Sequence, residues 1–312
     1  MRILLLGKNG QLGWELQRSL APLGDLIALD RAGAAVSSTG SRSTTAELCG
    51  DLARPEELQA TVRVLKPDVI VNAAAYTAVD RAESEPDAAR AINAEAPGGL
   101  ATVCAELGAR LVHYSTDYVF DGSGDRRWRE DDPTGPLCVY GSTKLEGERR
   151  IRASGCRHLI LRTSWVYAQR GTNFAKTMLR LARERDVLKV IDDQVGAPTG
   201  ADLLADATAH AVKSLEAHPG LAGTYHVAAA GETSWFEYAR FVVEGARARG
   251  WALKAAPEGI HPVPTAAYPT AARRPLNSRL DCARFEQAFG LRLPSWQFGV
   301  ERLLDELAPA IV

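Results

Sequence analysis

Residues 2–6 (RILLL) run directly into GKNGQLG and then into a stretch with helical periodicity, and this opening leaves few folds available. A short, continuously apolar run that ends in glycines reads as a strand buried on both faces and turning sharply into a helix. The pattern recurs. Runs at 26–29, 69–72, 110–114 and 158–162 read as further buried strands. Amphipathic stretches at 11–23, 55–66, 86–107 and 140–153 read as helices, with Pro55 at a first-turn position. Apolar strands separated by helices imply a parallel sheet covered on both sides, an α/β doubly wound arrangement.

Two regions break the rhythm. Residues 32–48 are rich in Ser, Thr, Gly and Ala and read as a flexible surface insertion after the second strand. From about residue 165 strands thin out. Pro198, Pro219, Pro257, Pro262, Pro264, Pro269 and Pro275 punctuate helices expected at 201–215 and 234–249. This predicts a larger domain over 1–164 and a smaller α/β lobe over 165–312, with some chain crossing back. A length of 312 residues suits such a division and buries a core without staples. The formal net charge of -1 favours neither nucleic acid nor an anionic membrane, so any anionic ligand needs a local basic pocket. Cys49, Cys104, Cys138, Cys156 and Cys282 are scattered, with no metal-ligand or redox spacing, which predicts reduced thiols in a cytoplasm. No apolar run approaches the length of a membrane span.

Gly7, Gly10 and Gly13 form G-x-x-G-x-x-G at the first strand–helix junction. A pyrophosphate must approach the backbone closely there, so side chains have to be absent, and the helix N-terminus offers free N–H groups. This predicts a Rossmann-like dinucleotide site. Asp30 ends the second strand, where an acidic group binds the adenosine ribose diol of NAD and disfavours the 2′-phosphate of NADP; Arg31 beside it does the opposite. NADH and NADPH both stay open, as does a plain turn-capping role for Asp30. Asp51-Leu52 is placed either to meet the adenine or to cap a helix.

Tyr140 and Lys144 share one helix face four residues apart. An ammonium beside a phenol favours the phenolate, and such a tyrosine can protonate a carbonyl oxygen as hydride arrives. Upstream, Ser115 and Thr116 place hydroxyls at the end of the fourth strand, where α/β folds bind ligands.

Taken with these features, the segments VNAAAYTAVDRAESEP, HYSTDYVFDG, VYGSTKLEGE, LRTSWVYA, DQVGAPTGADLLA and AYPTAARRPLNSRLD closely resemble the sugar-nucleotide reductases of the extended short-chain dehydrogenase/reductase family, over roughly 1–31 and 49–307. The resemblance implies NADPH- or NADH-dependent reduction of the C4 keto group of a dTDP-4-keto-6-deoxyhexose, dTDP-4-dehydro-β-L-rhamnose, for cell-surface polysaccharide synthesis. It implies that Gly7, Gly10, Gln11, Leu12 and Gly13 hold the pyrophosphate and that Asp30, Asp51 and Leu52 meet the adenosine half. Ala74, Ala75 and Tyr76 line the cofactor's far edge, with Thr77 turned toward the active site. Thr116, Tyr140 and Lys144 are the implied catalytic trio, the last two also touching cofactor. Thr116, Asp117 and Trp165 meet the sugar, and Arg274 and Asn277 close over the nucleotide. Some relatives use Mg²⁺ at a subunit interface, for which Glu15 and Asp202 are the matching carboxylates, and a homodimer is compatible. A sugar-nucleotide epimerase or dehydratase of the same fold, and a non-catalytic regulatory subunit resembling that of methionine adenosyltransferase, are the alternatives.

Overall fold

The computed structural model describes residues 1–33, 35–38 and 48–308. Seven strands form the central sheet: β1 (Arg2–Leu6), β2 (Asp25–Leu29), β3 (Ala35–Ser37), β4 (Val69–Asn72), β5 (Arg110–Thr116), β6 (Arg157–Thr163) and β7 (Gly223–His226). Their order is β7-β6-β5-β4-β1-β2-β3, parallel except where β3 runs against β2. The order reverses beside β1, so the crevice between the carboxyl ends of β1 and β4 is the topological switch point, the standard ligand position in such sheets.

Alternation within each apolar strand feeds two cores. Ile3 and Leu5 face Leu16 and Leu20 of α1 (Gln11–Leu20). Leu4 and Leu6 face Leu58 and Val62 of α2 (Pro55–Leu65) and Leu100 and Val103 of α3 (Ala96–Leu107). Every one of these side chains is buried, which is why the strands read as unbroken apolar runs rather than as alternating ones.

The helix expected over 86–107 forms, with a π-helical turn at Ala91–Glu95 between Pro86–Arg90 and Ala96–Leu107. Pro97 has no N–H to give to the Asn93 carbonyl, which loosens the ladder at that turn. Helix α4 (Val139–Ala153) comes close at this point: a Cβ on its Gly147 would run into the Asn93 carbonyl. Strand β5 extends two residues beyond the expected end, because Ser115 and Thr116 pair with Arg162 and Thr163 of β6. Of the expected insertion at 32–48, residues 35–37 form the edge strand β3, while 34 and 39–47 lie outside the described residues.

Beyond β6 a separate apolar cluster gathers Met178 and Leu179 of α5 (Phe174–Glu184), Tyr238 and Val242 of α7 (Trp235–Ala248), and Trp296 and Val300 of α8 (Trp296–Leu307). Three elements from this half return to the first, one of them the helix Ala283–Phe289, whose Phe285 and Phe289 enter the core that holds α1. Strand β7 pairs with β6, and α6 (Ala201–Ala217) sets Leu204 and Ala211 into the core that holds α1.

Candidate active site

The loop after β1 has the shape of a phosphate cradle. Gly7 sits at φ +84°, and a Cβ there would come within 2.8 Å of the Ala74 nitrogen in the loop after β4. A Cβ on Gly13 would collide with the Gly7 carbonyl. Gly10 differs: a Cβ there meets only the Gly7 carbonyl oxygen, at 3.4 Å, so the protein leaves the space beside it open. Gly10 is also the N-cap of α1 and has no side chain to satisfy that helix end, whose N–H groups are left for an anion. These features fit a dinucleotide pyrophosphate. Gln11 and Leu12 are half-buried at the start of α1, and Gln11 Oε1 accepts from Asn173 Nδ2 at 3.2 Å.

At the end of β2 the geometry differs from the expected contest between Asp30 and Arg31. Asp30 pairs with Lys8 in the glycine loop at 3.3 Å and accepts from Asn9 Nδ2 at 3.3 Å. The Arg31 side chain is 82% exposed and reaches only to 3.9 Å from Asp51. Asp51 Oδ1 accepts from the Ala53 N–H at 3.0 Å, and Leu52 is buried. Lys8 escaped sequence reasoning because a residue between the spaced glycines of such a loop carries no signal of its own.

Ala74, Ala75 and Tyr76 are partly exposed after β4, and Thr77 is exposed. Asn93, also missed, clamps this loop. Its Oδ1 accepts from the Tyr76 N–H at 2.9 Å, its Nδ2 donates to the Tyr76 carbonyl at 3.0 Å, and Nδ2 also lies 3.2 Å from Thr143 Oγ1 on α4. One side chain thereby bridges the loop and α4.

The structure brings Thr116, Tyr140 and Lys144 together. Thr116 closes β5, donates to Asp117 Oδ1 at 3.0 Å and accepts from the Tyr118 N–H at 3.2 Å. Tyr140 lies on the first turn of α4 and meets the edge of Tyr118 with ring centroids 5.5 Å apart. Burial pushes its phenol above the ordinary value, held back by the Thr116 hydroxyl. Lys144, one turn on, is only 2% exposed. Its Nζ donates to the Tyr114 carbonyl at 2.6 Å and stands 3.1 Å from His113 Nε2. Burial lowers Lys144 to about 8, against the opposing pull of Glu148. The expected lowering of the phenol by Lys144 is therefore replaced by a lysine tethered to β5 and a phenol raised by desolvation.

Asp117 is buried, its Oδ2 has no hydrogen-bond partner, and burial pushes its carboxyl up to about 6. Trp165 adopts φ +49°, an unusual conformation for a bulky residue, and stacks on Trp235 with centroids 3.5 Å apart. Gly196 permits this, since a Cβ there would lie 2.9 Å from the indole. Arg274 binds Asp80, Nη2 to Oδ2 at 2.6 Å. Asn277 is spent inside the chain: its amide donates to the Arg126 and Ser123 carbonyls at 2.8 and 3.3 Å. Its backbone, with those of Leu276 and Ser278, stitches the segment to Gly122 and Val195. Asn277 is thus placed as an internal pin rather than, as expected, a group facing the nucleotide. Glu15 and Asp202 act on each other electrostatically, but each faces an arginine, Arg18 at 3.7 Å and Arg302 at 3.5 Å. Among the described residues no group of three or more carboxylates, histidines or cysteines could hold a metal.

Residues 1–308 match the family described as RmlD substrate binding domain. The dTDP-4-dehydrorhamnose reductase of Escherichia coli (strain K12) is 56% identical over 307 residues, covering 98% of each chain. The crystal structure of a dTDP-4-dehydrorhamnose reductase from Clostridium acetobutylicum superposes with a TM-score of 0.85 at 33% identity, over 98% of this chain and 99% of that one. The enzyme of the same name from Bacillus anthracis, in complex with NADP, gives 0.83 at 34% identity, again over 98% and 99%. With a family match over 1–308 and a relative 56% identical over almost the whole of both chains, the chain belongs to the dTDP-4-dehydrorhamnose reductase family.

Proposed function

We propose that the protein reduces the C4 keto group of dTDP-4-dehydro-β-L-rhamnose to dTDP-β-L-rhamnose, with NADPH or NADH as cofactor. The observation that carries the reading is the meeting of the Thr116 hydroxyl with the Tyr140 phenol, with Lys144 one turn on tethered to β5, in a chain related to dTDP-4-dehydrorhamnose reductases over almost its whole length. When bound, the reduced nicotinamide supplies the hydride. The protein's part is to bind, orient and protonate. Gly7, Gly10 and Gly13, with Gln11 and Leu12, hold the pyrophosphate at the α1 N-terminus. Asp30, Asp51 and Leu52 meet the adenosine, and Ala74, Ala75, Tyr76 and Thr77 form the far wall.

Tyr140 gives its proton to the C4 oxygen, and the Thr116 hydroxyl shares that oxygen. A phenol raised by burial stays protonated at neutral pH, which suits a donor. Lys144 orients the nicotinamide ribose and resupplies the proton. Asp117 and Trp165 hold the deoxyhexose, and Arg274 faces the nucleotide end. In this reading residues 1–164 form the dinucleotide-binding domain and 165–312 mainly the sugar-nucleotide lobe. No helix among the described residues is long and apolar enough to cross a membrane, and a cytoplasmic location follows from the reading. A homodimer is compatible with this reading.

Turnover tests the proposal. Mixing protein, reduced cofactor and a dTDP-4-keto-6-deoxyhexose should consume cofactor in step with substrate. An epimerase or dehydratase recycles its cofactor and would show no net consumption, and a purely regulatory protein would show no product.

A further inference from the structure

Behind Lys144 lies a buried polar chain that the reduction does not itself require. The Ala74 N–H donates to Asn72 Oδ1 at 3.2 Å, which fixes how the Asn72 amide is turned. Its Nδ2 therefore points at His113 Nδ1, 3.2 Å away, and must donate to it. His113 is buried and neutral, its basicity far below the ordinary histidine value through desolvation and the neighbouring Lys144 charge. A neutral ring that accepts at Nδ1 carries its hydrogen on Nε2. That Nε2–H faces Lys144 Nζ at 3.1 Å. An ammonium at Nζ would oppose donor to donor, whereas a free amine accepts the hydrogen bond.

The other charged and titratable groups around Lys144 do not cancel this bias. Glu148, one turn along α4, is the nearest carboxylate on the same helix. It is held by Arg162 of β6, at 2.9 and 2.7 Å, and by Arg152 at 3.1 Å. Tyr140 is a raised, protonated phenol. The Tyr114 carbonyl accepts from Lys144 in either protonation state. No ion pair of Lys144 with a carboxylate is present among the described residues.

We propose that His113, locked in its Nε2–H tautomer by Asn72, is a positioning residue that biases Lys144 toward releasing its proton. The consequence rests on the reductase reading above: Lys144 is readied to pass a proton to Tyr140 after each turnover. His113 acts only through Lys144.

Lysine Cε NMR signals followed across pH in the cofactor-free protein, with Lys144 assigned by its loss in Lys144→Arg, read the midpoint directly. In His113→Gln the amide oxygen can accept from the ammonium, so the Lys144 midpoint should rise by about one unit. The alkaline limb of kcat/KM should move up with it. Asn72→Ala frees the ring to adopt the other tautomer and should shift the midpoint in the same direction, which keeps the test alive should His113→Gln fold poorly. An unchanged midpoint, with activity lost equally at every pH, would reduce His113 to packing and overturn the proposal. A shifted midpoint in a protein without reductase turnover would instead overturn the reductase reading and leave the tuning intact.

Discussion

Lys8 Nζ stands 3.3 Å from Asp30 Oδ2, so the second residue of the glycine loop neutralises the carboxylate at the end of the second strand. Arg31, which sequence alone offered as the counterweight, points into solvent. A paired Asp30 repels a 2′-phosphate less than a free one, and Lys8 can turn to that phosphate. Both cofactors should therefore be accepted. Lys8→Met should lower the NADPH/NADH ratio of kcat/KM by about tenfold or more, the size of one charge-assisted contact. Asp30→Ala should raise the ratio, and Arg31→Ala should leave it nearly unchanged. Steady-state kinetics with both cofactors decides; a ratio that moves with Arg31 and not with Lys8 would contradict this assignment.

Tyr140→Phe removes the proposed proton donor and keeps the ring that meets Tyr118. Turnover should fall by roughly 10²–10⁴, the usual size of general acid catalysis. Cofactor affinity, measured by quenching of nicotinamide fluorescence, should stay within a few-fold of wild type. Near-normal turnover would remove Tyr140 from the mechanism.

Much of this was readable in advance because it is local. Buried parallel strands demand apolar runs, and a pyrophosphate demands Gly7, Gly10 and Gly13. What stayed hidden depends on pairings between distant residues. Arg274 binds Asp80 across 194 positions, and Asn277 pins residues 123 and 126. His113 looked like one polar interruption in an apolar strand, and only the packed sheet shows Asn72 on one side of it and Lys144 on the other. The early end assigned to the fourth strand had the same cause: Ser115 and Thr116 are weakly apolar, and it is the β6 partner that keeps them extended.

The glycine loop supports a paired test. A side chain at Gly10 meets only one carbonyl oxygen, at 3.4 Å, whereas one at Gly13 collides with Gly7. Gly10→Val should leave the circular dichroism spectrum and melting temperature nearly unchanged while cofactor affinity collapses. Gly13→Val should lower stability by about 1–3 kcal/mol or more, as overpacking does. Equal destabilisation by both would mean that the loop's openness at Gly10 has no bearing on ligand.

The Glu148–Arg162 pair is almost wholly enclosed, with side chains 0% and 3% exposed. Removing one partner strands the other charge in the core. Glu148→Ala should cost about 3–5 kcal/mol in urea unfolding, the scale for a broken buried pair. A loss below about 1 kcal/mol would show that Arg162 finds water or the Glu130 carbonyl, 3.1 Å away, sufficient.

Asp117 makes the clearest pH prediction. Its carboxyl is buried, one oxygen lacks a partner, and the folded protein holds its proton up to about pH 6 against an ordinary 3.8. Between these values the folded state binds the proton and the unfolded chain has released it, so stability falls as pH rises through the window. The contribution is fully present below the unfolded value and gone above about 6. Over that interval it amounts to about 3 kcal/mol, at roughly 1.4 kcal/mol for each pH unit. Asp80 and Glu146, whose folded carboxyls are lowered by arginine partners, slope the other way and mask this in the wild type alone. The difference between wild type and Asp117→Asn isolates it, because the amide cannot ionise. Denaturant melts at pH 4 and pH 7 should show the variant gaining on wild type by about 2–3 kcal/mol at the higher pH. A difference that stays constant with pH would mean that the Asp117 carboxylate is solvated or partnered in solution. Its placement as a buried, proton-holding group beside Thr116 would then be wrong.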